Sequence, residues 1–281
     1  MRLTHWVISL VLLLGISGCV KKESGGEGGK IVAAVIPKGT THEFWKSVHA
    51  GALKAGRETG IEIVWKGPLK EDDREAQISV VEDFTSRRVS GIVLAPLDNA
   101  ALRAPVSGAM HDGVPVVIID SDLQGDDYIS FVATDNELGG QLAGKKMVEL
   151  LKGKGKVIML RYQEGSGSTT KREAGFLAAV AAAPGVTVVS ASQFGGPTTE
   201  TAYKASENLL APLKDRSGRL TIDGVFTPNE STTFGMLRAL QDAGLAGSVV
   251  FLGFDSSTKL VEALEKGELN GLVLQNPFRM G

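Results

Sequence analysis

From residue 30 onward, short continuous apolar runs alternate with longer amphipathic stretches. The runs "KIVAAVIP", "IEIVW", "GIVLAP", "VPVVIID" and "YISFVAT" predict strands. Between them, residues 44–57, 72–88 and 100–111 place apolar side chains three or four apart and predict helices. In the first helix Trp45, Val48, Ala52 and Ala55 share one face, whereas Phe44, about 100° from Trp45, does not. The plan then restarts. Asp135 is placed to cap a helix through Leu142, Met147 and Leu151 that stops at Gly153. Strands "KVIMLRY", "VTVVSAS", "IDGVFTP", "SVVFLGFD" and "NGLVLQN" follow, separated by helices at 169–182, 199–213, 229–243 and 258–266.

Strand–helix–strand alternation at this spacing predicts right-handed βαβ units and parallel sheets. The strands read as unbroken apolar runs, as expected when helices cover both faces. A single eight-stranded α/β barrel and two doubly wound lobes both fit the alternation. "YISFVAT" follows "VPVVIID" with only a loop between them, which breaks barrel alternation and favours two lobes joined near Asp135.

Composition narrows the function. A formal net charge of −2 over 281 residues makes no electrostatic case for nucleic acid. The start, "MRLTHWVISLVLLLGISGC", resembles a secretory signal with a lipobox: Arg2, a short apolar stretch, then Ile16-Ser17-Gly18-Cys19. Residues 1–18 are expected to be the signal peptide, Cys19 the lipidated first mature residue, and 19–29, "CVKKESGGEGG", a flexible tether. Cys19 is the only cysteine, so disulfides, cysteine-based zinc sites and cysteine nucleophiles are excluded.

In either architecture, ligands meet the carboxyl ends of the strands. The polar and aromatic residues there are Lys38, His42, Phe44 and Trp45, then Asp120 and Ser121, then Arg172, Asn229, Asp255 and Gln275. Flat rings, carboxylates, a guanidinium and amides suit a polyhydroxylated ligand, the rings covering CH faces and the polar groups answering hydroxyls. Taken singly, each has a plainer reading: Asn229 and Asp255 as helix caps, Trp45 as core, Arg172 as a partner of Glu173. Glu71, Asp72 and Asp73 read as the acidic first turn of a helix.

Enzyme motifs are weak. "HEFWK" departs from H-E-x-x-H at Lys46, and "EGSGSTTKREAG" lacks P-loop spacing. No cofactor or metal is expected.

The segments "IPKGTTHEFWKSVHAGALKAG", "GIVLAPLDNAAL", "VPVVIIDSDL", "FVATDNELGGQLAG", "KREAGFLAAV", "GVFTPNESTTFGMLRAL", "VVFLGFDSS" and "LNGLVLQNPFRMG" resemble the type I periplasmic sugar-binding proteins, the ribose- and galactose-type receptors of ABC importers. The resemblance runs from about Lys30 to the last residue. It implies two Rossmann-like lobes, here 30–133 and 134–275, that close by a hinge on a sugar or sugar-like ligand. It places Phe44 and Trp45 around the sugar ring. Lys38, His42, Asp120, Arg172, Asn229, Asp255 and Gln275 become its polar contacts, and Phe254 flanks it. Family members normally continue past "NPFRMG" with a helix, a strand and a further hinge crossing. Residues 276–281 are therefore expected to begin the return to the first lobe, with later elements missing.

Lys38 and His42 stand where ribose-type members have small or amide side chains, Ser121 where many have arginine, and Ala95 where asparagine is frequent. These departures point away from ribose and toward a larger, modified or anionic sugar. The expected partner is an ABC permease, and the expected location is the cell envelope, with a monomer held on the extracytoplasmic side by its lipid. A sensory receptor for the same ligand class and a lipid-anchored α/β enzyme using Asp120 and Asp255 are the alternatives.

Overall fold

The computed structural model describes residues 30–281. The signal, Cys19 and tether expectations lie outside the described residues.

The first sheet holds β1 (Val32–Ile36), β2 (Glu62–Trp65), β3 (Gly91–Leu94), β4 (Val116–Ile119) and β5 (Ser130–Val132), in the order β2-β1-β3-β4-β5 and parallel throughout. Helices α1 (Glu43–Thr59), α2 (Arg74–Ser86) and α3 (Arg103–His111) make its crossovers. The second sheet repeats the plan with β6 (Gly155–Met159), β7 (Val186–Ser190), β8 (Gly224–Phe226), β9 (Val250–Phe254) and β10 (Gly271–Val273), in the order β7-β6-β8-β9-β10. Its helices are α4 (Asn136–Leu150), α5 (Gly167–Ala181), α6 (Thr199–Leu210), α7 (Glu230–Asp242) and α8 (Thr258–Glu265). Two open five-stranded sheets exclude the barrel.

Strand alternation divides each core in two. Ala34, Ile36, Ile92, Leu94, Val116 and Ile118 pack toward α2 and α3, while Ile119 joins Trp45 and Val48 of α1 on the opposite face. In the second lobe Ile158, Val225 and Phe251 share one cluster with α6, α7 and α8, and Met159, Phe226, Leu252 and Phe254 share the other with α4 and α5.

Local chemistry sets the element ends. Helix α1 stops at Gly60, whose φ of 74° lies in the left-handed region that glycine adopts freely. Asp135 caps α4 by accepting from the Leu138 amide at 3.0 Å. Helix α3 starts later than the sequence pattern predicts, because Asp98 Oδ1 accepts from the Ala100 and Ala101 amides at 2.9 and 2.8 Å and holds a turn there.

The chain crosses between lobes at 133–135 and again at 274–276. It then forms α9 (Pro277–Met280), which packs on α1 of the first lobe.

Candidate functional site

Both sheets present their strand carboxyl ends to one cleft. Asp120 follows β4 and Asp255 follows β9, the matching strand of the other lobe. The two are also conformational twins. Asp120 has φ 62° and Asp255 φ 71°, and their amides extend the ladder to Val132 O and Val273 O, each at 3.0 Å. Aspartate tolerates this left-handed conformation better than most side chains, at a cost of about 1–2 kcal/mol. Each lobe thus turns sharply where its strand meets the cleft.

Lys38, His42, Phe44, Trp45, Asp120, Arg172, Asn229, Asp255 and Gln275, all expected from the strand-end rule, line one cleft between the strand ends. Phe44 and Trp45 meet edge to face with centroids 4.9 Å apart. Trp45 is 3% exposed and packs in the α1 core, whereas Phe44 is only partly buried.

Arg172 is 2% exposed, with no ion pair among the described residues. Its Nε donates to Asn136 Oδ1 at 2.8 Å, Nη1 to Pro228 O at 3.0 Å and Nη2 to Gln275 Oε1 at 2.8 Å. The guanidinium lies over the Phe254 ring, 4.4 Å from its centroid. Burial pulls its pKa below the usual arginine value, and the charges of Asp255, Asp120 and Glu71 act against that pull. Helix α5 carries Arg172 close to α4 because position 140 is glycine: a Cβ there would lie 2.0 Å from the Arg172 carbonyl oxygen. Gln275 Nε2 donates to Asp255 Oδ1 at 2.7 Å, and its Oε1 also accepts from Thr134 Oγ1 at 2.8 Å. One amide therefore ties Arg172 and Asp255 to both interlobe crossings.

Two expected contacts sit elsewhere. Phe254 is 0% exposed and belongs to the second-lobe core; it supports Arg172 from behind and does not line the cleft. Ser121 is fully buried, and its Oγ accepts from the Ser168 amide of the opposite lobe at 2.9 Å. Asn229 is both a lining residue and the cap of α7, accepting from the Thr232 amide at 3.3 Å.

Glu71 is the residue that the sequence reading misplaced. It precedes α2, whose cap is Asp73, and it is 6% exposed at the cleft. Its Oε1 accepts from Trp45 Nε1 at 2.6 Å and lies 3.1 Å from His42 Nδ1. Its Oε2 accepts from the Tyr162 hydroxyl of the second lobe at 2.5 Å. Burial opposes charge on both members of the His42–Glu71 pair, but their mutual hydrogen bond and attraction prevail. His42 is raised from 6.5 to about 9 and Glu71 lowered from 4.5 to about 2, the latter helped by Lys38 and Tyr162. Burial and then the Glu71 charge push the Tyr162 hydroxyl well above its ordinary value. Lys38 is matched in the same way: its Nζ lies 3.0 Å from Asp120 Oδ2 and donates to Ser168 Oγ at 3.1 Å. Tyr162, Ser168, Thr169 and Glu230 complete the lining and were not anticipated.

The sequence model of the periplasmic binding protein domain matches residues 32–281. The chain belongs to that family. Its fold is the family's type I fold, two parallel α/β lobes facing a cleft, and its relatives are binding proteins. The ribose import binding protein of Salmonella typhimurium is 29% identical over 273 residues, covering 97% of this chain and 88% of that protein. A carbohydrate transporter solute binding protein from Agrobacterium radiobacter, in complex with D-arabinose, superposes with a TM-score of 0.84 at 32% identity, over 90% of this chain and 85% of that one. An ABC transporter solute binding protein from Agrobacterium vitis with bound D-fucose gives 0.82 at 34% identity, over 89% and 85%.

Proposed function

We propose that this protein is the extracytoplasmic receptor of an ABC importer and captures a neutral monosaccharide or close polyol between its lobes. The observation that carries this reading is the convergence of Phe44 and Trp45 with Arg172, Asp120, Asp255, Asn229 and Gln275, from both lobes, on one cleft. Rings and mixed donors and acceptors together answer a sugar's two kinds of surface. The ribose-binding relative and the structures holding D-arabinose and D-fucose support the same class.

The charge arrangement refines the ligand. Lys38 and His42, which taken alone suggested an anionic sugar, are each matched by a carboxylate. The lining holds three cationic side chains, Lys38, His42 and Arg172, against four acids, Glu71, Asp120, Glu230 and Asp255. An anion would add to an already negative balance. The Glu71–Tyr162 contact spans the cleft and limits its length, which favours one ring over a disaccharide.

An enzyme built on Asp120 and Asp255 is disfavoured, because both carboxylates are already committed: Asp120 Oδ2 lies 3.0 Å from Lys38 Nζ, and Asp255 accepts from the Glu230 amide at 2.8 Å and from Gln275 Nε2 at 2.7 Å. A sensory receptor for the same ligand remains the second reading, since capture precedes either output.

Isothermal titration of pentoses, hexoses, a pentitol and a uronate tests the ligand class. Saturable binding of a neutral member, with the ligand recovered unchanged, is expected; uptake of the uronate alone, or of nothing, refutes it. Phe44→Ala should weaken that binding with little change in melting temperature. Trp45→Ala should lower both, because it also empties core volume, at about 3–5 kcal/mol. The lipid anchor at Cys19 is part of the proposal. Cells fed labelled palmitate should mark the wild-type protein and not Cys19→Ser; equal labelling of both would dismiss the anchor.

A further inference from the structure

A helix begins with amides that have no intrahelical acceptor, and a side chain at the N-cap normally accepts from one of them. Here α2, α4, α6 and α7 cap themselves, through Asp73, Asp135, Thr198 and Asn229. Helices α1, α3, α5 and α8 do not: His42, Leu102, Ser166 and Ser257 make no capping bond. Helix α3 follows the turn held by Asp98 in its own lobe; the other three begin at the cleft and find acceptors on the opposite lobe. The Glu43 and Phe44 amides of α1 donate to Glu230 Oε1 and Oε2 at 3.3 and 3.1 Å. The Ser168 amide of α5 donates to Ser121 Oγ at 2.9 Å. The Thr258 amide of α8 donates to Glu43 Oε2 at 3.0 Å.

The arrangement is reciprocal. The first residue of α7 caps α1, the first residue of α1 caps α8, and the loop after β4 caps α5. Two of the three acceptors are carboxylates, which also oppose the positive end of the helix dipole. Around α5 the fit is close. Lys171 Nζ lies 2.9 Å from Asp122 Oδ2 across the cleft, and a Cβ on Gly167 would lie 2.5 Å from Asp122 Oδ1.

We propose that Glu43, Ser121 and Glu230 are positioning residues for lobe closure, which complete helix caps across the cleft and stabilise the closed form whether or not ligand is present. Opening returns the amides of all three helices to water and leaves these acceptors without their donors. The closed form is therefore populated in the free protein. Ligand affinity inherits that population, since a receptor already partly closed gives up less of its binding energy to closure.

The test uses no ligand, so it stands or falls apart from the sugar assignment. Spin labels are placed on exposed positions of each lobe, His111→Cys and Lys204→Cys, in a Cys19→Ser background. Interlobe distances are then measured by pulsed electron resonance. Wild type is expected to show a short-distance population. Glu43→Ala/Ser121→Ala/Glu230→Ala should lose it, the closed-to-open ratio falling about fivefold for each cap removed. Glu230→Gln, which keeps one acceptor oxygen, should retain part of it.

Gly167→Ala is the independent variant. It occupies a helical position where alanine is the better helix former, so the lobe should keep its circular dichroism. Its methyl group should nonetheless obstruct closure and shift the distances outward. Distance distributions that match in wild type and the triple variant would overturn the proposal, as would a triple variant that melts lower without opening.

Discussion

Replacing Arg172 with alanine should lower affinity for the sugar that wild type binds by about a hundredfold or more. The guanidinium has five N–H donors, and three are committed to Asn136, Pro228 and Gln275. All three acceptors are neutral, so the charge itself remains available, and two donors are left for ligand hydroxyls. A hydrogen bond from a charged donor contributes about 1.5–3 kcal/mol, so the pair accounts for about 3–6 kcal/mol. The Phe254 ring beneath and the Gly140 approach behind fix the plane of the fork before ligand arrives. Arg172→Lys should recover little, because an ammonium cannot satisfy three acceptors fixed in one plane and also reach the ligand. The variant will also lose stability, since Asn136 Oδ1, Pro228 O and Gln275 Oε1 are left without their donor. Titration must therefore be done at a temperature where circular dichroism shows the variant folded. Affinity within threefold of wild type under that condition would remove Arg172 from the site.

The fold was legible because it depends on local pattern. Five apolar runs, a restart at Asp135 and five more became two sheets, and the parallel topology then placed every strand's carboxyl end at one cleft. Nine of the candidate residues line that cleft for this reason alone. What escaped the sequence depends on distant partners. Glu71 sits where acids normally favour a helix start, yet its hydrogen bonds reach residues 26 and 91 positions away. Tyr162 ends an apolar strand and reads as core. Ser121 answers an amide 47 positions on, in the other lobe. Phe254 is the opposite case. Strand alternation puts it on the same face as Leu252, with the α4 and α5 core, so its burial could have been read from the pattern before any resemblance suggested a ligand contact.

The His42–Glu71 pair gives stability a signed dependence on pH. Below about pH 6.5 histidine is charged in folded and unfolded chains alike, and the pair's contribution is complete. Above that value the unfolded chain releases its proton while folded His42 keeps it, so stability falls as pH rises, until the folded value of about 9 is passed. The displacement from 6.5 to about 9 corresponds to about 3 kcal/mol. Glu71 gives the mirror image: its contribution is present above about pH 4.5 and is lost as pH falls through the folded value of about 2. The two losses describe one interaction seen from either side, so they do not add. In thermal melts of the ligand-free protein, wild type should lose about 6–12 °C between pH 6.5 and 9.5 beyond what His42→Asn loses. Glu71→Gln should melt lower at neutral pH. A carboxamide can accept from Trp45 Nε1 and donate to the Tyr162 oxygen, but it has no charge to hold the His42 proton, so the loss is about that of the pair, about 3 kcal/mol. It should also flatten the alkaline decline, because His42 without its carboxylate is neutral in both states. A Glu71→Gln profile that runs parallel to wild type through the alkaline range would show that the pair is not what holds the proton. The decline would then belong to other groups that titrate there, and Glu71 would retain only its hydrogen bonds to Trp45 and Tyr162 as a role in the fold.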